Sequence, residues 1–73
     1  MQKVKGVVHH LEEEGGFWGI IADDGTQYEI IDMPEQLKHD KAKVKVELIE
    51  LDVFTLYMWG TPCKIISFQT LHV

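Results

Sequence analysis

Phe17-Trp18-Gly19-Ile20-Ile21-Ala22-Asp23-Asp24-Gly25-Thr26-Gln27-Tyr28-Glu29-Ile30-Ile31 is the stretch on which the fold turns. Residues 17–22 form an aromatic and β-branched run bounded by turn residues, the composition of a strand. Asp-Gly between two such runs predicts a hairpin, and type I′ geometry is the expected turn because Asp and Gly tolerate positive φ. Residues 26–31 complete the pair. Tyr28 and Ile30 share one face, and Gln27 and Glu29 share the other. Phe17 and Trp18 point to opposite faces, so at most one of them is internal.

Upstream, residues 3–11 begin as strict apolar and polar alternation, which a half-buried strand requires. Gly6 within it predicts a bulge or sharp bend that lets one long strand serve both sides of a small barrel. Gly15-Gly16 then reverses the chain. Downstream, Asp32-Met33-Pro34-Glu35 reads as the start of a short helix, with Asp32 as its cap. Alternation resumes over residues 43–50. Residues 54–58 and 63–71 read as a fifth strand kinked or bulged at Trp59-Gly60, or as two short strands. The expected fold is all-β with one short helical turn, a small five-stranded barrel filling a single domain over residues 1–73. Three strands, a short helical connection and two more strands is the order of an OB-fold barrel.

The strings Gly6-Val7-Val8, Gly16-Phe17-Trp18-Gly19-Ile20-Ile21, Asp23-Asp24-Gly25, Met33-Pro34-Glu35 and Met58-Trp59-Gly60-Thr61-Pro62 resemble a group of short prokaryotic OB-fold-like proteins of uncharacterised function. The resemblance spans nearly the whole chain. It implies the barrel and transfers no catalytic or binding residue.

Composition narrows the function classes. Seventy-three residues allow one core, since a chain this short buries only about 60% of its unfolded surface. No uncharged apolar run approaches the roughly 18 residues of a membrane span, and the first residues lead into alternation rather than a signal-peptide core. A cytoplasmic protein is expected, with export through a removed leader left open. Cys63 is the lone cysteine, so no intrachain disulfide and no cysteine-rich zinc site can form. Twelve acids face seven bases for a formal net charge of −5, and every base is lysine. Phosphate recognition favours cations and especially Arg, so this surface is poorly suited to nucleic acid or anionic lipid. Lys3, Lys5, Lys38, Lys41, Lys43 and Lys45 cluster along the sequence, and on strands alternate lysines describe a solvated face.

No constellation of catalytic groups stands out. His9 and His10 are strand neighbours that point apart, which argues against a shared metal even with His39 and His72 at hand. His10 with Glu12 is the residual pair. Glu12-Glu13-Glu14 and Asp23-Asp24 fall in ordinary turns rather than at calcium-loop positions. Cys63 lies on an expected buried strand with no base beside it, which suits a small apolar side chain better than a nucleophile. No cofactor is implied. The aromatic residues are the remaining candidates, either as core or as a contact surface. The expectation is a non-enzymatic binding or assembly module that meets another protein, or a second copy, through a patch around Trp18, Tyr57 and Trp59. The alternative is single-stranded nucleic-acid binding by the barrel face.

Overall fold

The computed structural model describes residues 2–12, 16–55 and 58–70. The strands in chain order are β1 (Gln2–Leu11), β2 (Phe17–Ala22), β3 (Gln27–Ile30), β4 (Lys43–Glu50) and β5 (Thr61–Thr70). A 3-10 turn at Glu35–Leu37 lies between β3 and β4. The strands close in the order β1-β2-β3-β5-β4 and back to β1, the expected all-β barrel in the strand order of an OB fold. Closure depends on a short parallel seam in which Tyr28, Glu29 and Ile30 of β3 face Thr61, Pro62 and Cys63 of β5.

β1 serves both sides of the barrel. Residues 2–7 pair with β4 and residues 6–11 pair with β2, so the two ladders overlap at Gly6 and Val7. Gly6 allows this: a Cβ there would run into the Ile21 carbonyl oxygen and come within 2.9 Å of the Ala22 Cα. The register through Gly6 is continuous, so the residue marks a close approach and not a bulge. A register shift appears instead between Glu47 and Leu48 of β4, opposite Ser67 and Ile65 of β5. It leaves Ile66 half exposed.

Period-two alternation fills the interior. Val4 and Val8, Ile20, Tyr28 and Ile30, Val44, Val46 and Leu48, and Cys63 and Ile65 form one buried cluster. Met33 and Leu37 from the β3–β4 connection join it. Each fully buried aliphatic side chain stabilises the fold by about 1.5–3 kcal/mol. Among the described residues no helix is long and apolar enough to cross a membrane.

Three local expectations are corrected. In the β2–β3 hairpin Gly25 has φ 89° while neither Asp23 nor Asp24 has positive φ, so the turn is not type I′. The Gly25 N–H donates to the Ala22 carbonyl at 2.8 Å and the Ala22 N–H to that of Thr26 at 2.8 Å, a three-residue loop with glycine in its left-handed position. Asp32 does not cap a helix. It has φ 59°, outside the extended geometry of a capping residue, and the turn that starts after Pro34 spans three residues. Of residues 54–58, expected as strand, the described ones, Phe54, Thr55 and Met58, lie outside any strand, and β5 begins at Thr61. The reason is steric. Met58 has φ 46°, which no strand accommodates, and Gly60 passes so close to β3 that a Cβ would lie 2.6 Å from the Gln27 carbonyl oxygen. The described residues 51–55 and 58–60 therefore form a strap against the outside of β3 instead of extending the sheet.

Candidate binding surfaces

Alternation along β2 decides where the aromatic candidates go. Trp18 opposes Ile30, packs against the core cluster and remains half-buried. Its indole lies 4.5 Å from the His10 ring, centroid to centroid. Trp59 sits on the opposite, outer face of β2. Its ring covers Gly19, where any Cβ would collide with it, and meets Phe17 edge-on at 5.8 Å. The two tryptophans therefore lie on opposite faces of β2. Tyr57 lies outside the described residues.

The strap makes the outward side of β2–β3 partly internal. Phe17 points away from the barrel core yet is only 8% exposed, because Trp59 lies against it. Glu29, also outward on β3, is 1% exposed. Its lateral neighbours are Gly19 and Pro62, which offer it neither a side-chain donor nor, from the proline, an N–H. The Trp59 backbone N–H donates to Glu29 Oε1 at 3.2 Å, and Oε2 is buried without a hydrogen-bond partner among the described residues. Leu51 ties the other end of the strap, its N–H donating to the Pro62 carbonyl at 2.9 Å.

Between these anchors the strap turns apolar side chains to solvent. Phe54 is fully exposed, Met58 is 84% exposed and Val53 is half exposed. Val53, Phe54 and Met58 line a surface groove with Gln27, Gly60 and Pro62. Sequence reasoning placed Phe54 and Met58 in a strand and so missed them as surface. Gly60 was the available signal, a glycine next to Trp59 where the chain must pass closely over another backbone.

The outer face of β1–β4 is basic, with Asp23 at its border beside Lys5 and Lys43. Lys5 lies directly opposite Lys45, Lys3 opposite Glu47, and Lys43 opposite Val7. All four lysines are exposed. Among the described residues the ion pair formed is Lys38–Glu35 at 2.8 Å, and none of the four takes part in one. Lys3, Lys45 and Glu47 also border a shallow groove with Ser67 and Gln69 of β5.

The remaining candidates stay apart. His9 is half-buried, His10 and His39 are exposed, and His72 lies outside the described residues. Among the described residues no three His, Cys, Asp or Glu side chains are grouped to hold a metal ion. Glu12, Asp23 and Asp24 are exposed, and Glu13 and Glu14 lie outside the described residues. The Thr26 backbone N–H and hydroxyl hold the Asp24 carboxyl below its ordinary range. Cys63 is a buried free thiol, as its strand predicted. Burial, with the Glu50 charge adding, pushes its pKa up to about 11, which suppresses the nucleophilic thiolate near neutrality. Burial likewise raises Tyr28, with Asp24 contributing.

No protein family, curated protein or solved structure matches the chain.

Proposed function

We propose that the chain is a non-enzymatic binding module that meets another protein, or a second copy of itself, through the strap formed by residues 51–55 and 58–60. The observation carrying this reading is the solvent exposure of Phe54 and Met58 on a segment anchored at both ends. Apolar side chains clustered at a groove are the usual centre of a protein contact, where aromatics and Met are enriched. Trp59 belongs to the surface as the anchor that holds the strap down, with Trp18 left to the barrel rim. In OB barrels the β2–β3 face and the β4–β5 loop are common nucleic-acid surfaces. Here the loop lies on that face, which favours a protein contact over a nucleic-acid one at this position. A cytoplasmic setting, in which Cys63 stays a free thiol, and kinship with short prokaryotic OB-fold-like proteins belong to the same proposal.

The test is site-directed photocrosslinking from position 58, on the purified chain over a concentration series and in extract. Crosslinks to a second copy or to one defined protein, lost in Phe54→Ser, are expected. An absence of crosslinks in both settings would sink the reading.

A further inference from the structure

The β1–β4 face is built differently from the strap, and it asks for a different ligand. Four lysines against Glu47 and Asp23, which borders Lys5 and Lys43, give it a local charge of +2 on a chain of formal net charge −5, which leaves −7 for everything else. Twelve acids were available to pair these lysines, yet Lys5 and Lys45 oppose one another directly. Like charges at directly opposed positions destabilise a sheet, so the fold gains nothing from the arrangement. Residues two apart on a strand lie about 6.7 Å apart and neighbouring strands about 4.8 Å apart, so the ammonium groups stand on a grid of closely spaced cations.

We propose that this face is a contact site for the phosphate backbone of a nucleic acid, bound without sequence preference. The neighbouring groups favour phosphate over an acidic protein. Ser67 and Gln69, which with Lys3 and Lys45 line the shallow groove, add hydroxyl and amide donors of the kind that contact phosphate and sugar. Protein contacts are depleted in Lys and need an apolar centre, and here four lysines outnumber the apolar side chains, which are Val7 among the six paired positions on the lysines' face and the part-exposed Phe68 in the shallow groove. Nucleic-acid interfaces are polar and strongly positive, which describes this surface. This site is independent of the strap, and its ligand meets the barrel on another side.

The test is a fluorescence-anisotropy titration with a fluorescein-labelled oligothymidylate of about twenty nucleotides, repeated over a salt series from about 20 to about 200 mM. Binding at low salt is expected, with log K falling against log salt at a slope of about −2 to −3, as three or four neutralised phosphates require. The double variant Lys5→Gln, Lys45→Gln should lower that slope by about 1.4 while raising thermal stability, since it removes a repulsion. An abasic strand of equal length should compete equally, and Phe54→Ser should bind as the parent does. A flat titration at low salt overturns the proposal, as does an unchanged slope in the double variant. Preferential displacement by polyglutamate of equal charge would assign the face to an acidic protein segment instead. Loss of binding in Phe54→Ser alone would move the contact to the strap.

Discussion

The outer faces of β2–β3 and β1–β4 obey the same alternation and end in opposite conditions. On β2–β3 the outward residues Phe17, Gly19 and Glu29 are buried, because Trp59 lies across them. On β1–β4 the outward lysines stand in solvent with no ion pair among the described residues. Period two tells which side chains leave the barrel core, and it is silent about what comes back to cover them. The contrast also separates the two proposed contacts, one apolar on the strap and one cationic on β1–β4.

Removing the cover should break the contrast with the largest effect. Trp59→Ala strips the ring from Gly19 and Phe17 and exposes the Glu29 carboxylate, and should cost about 2–4 kcal/mol in urea unfolding. Lys45→Ala on the basic face should stay within about 0.5 kcal/mol, as exposed positions do. Equal losses from the two substitutions would show that the strap contributes nothing.

High pH probes the seam beneath the strap. Cys63 and Tyr28 both lie at the β3–β5 pairing, and both ionise less readily in the folded chain. A thiol whose folded pKa is raised binds its proton more tightly when folded. Stability is therefore full below the ordinary thiol value of 9.0 and falls as pH rises toward about 11. Unfolding midpoints measured across that window should decline, and alkylation of Cys63 near neutral pH should be slow. Rapid alkylation in the folded protein would show that the seam opens.

The smallest expected effect sharpens the comparison from the other side. Lys45→Glu places an opposite charge across from Lys5 and should stabilise the barrel by about 0.2–1 kcal/mol, read as a small rise in melting temperature. The same change should weaken oligonucleotide binding at low salt about as much as the double variant does. A fall in stability would mean that the opposed lysines are held in a favourable arrangement.

Much of the barrel was legible because its elements have local causes. The range 43–50 was readable to the residue from alternation alone, and the β2–β3 hairpin from Asp24-Gly25. The turn subtype was not, since Asp-Gly also suits a three-residue loop and the choice depends on how Ala22 and Thr26 meet. The candidate surfaces were less legible. Phe54 and Met58 have strand-forming neighbours, and only the close passage of Gly60 over Gln27 turns that segment into a strap. Glu29 alternates as a solvent-facing residue should, so nothing local marks it as buried.

By itself the sequence determined an all-β chain and the alternation by which its strands turn side chains inward or outward, because these follow from backbone geometry and from the spacing of apolar residues along a strand. Tertiary structure alone decided that Trp18 and Trp59 part company, that Glu29 is covered, and that four lysines distant in sequence share one side of an acidic molecule. Those outcomes depend on which strands become neighbours when the barrel closes and where the strap comes to rest, and both are set by contacts between residues about 30 or more apart along the chain.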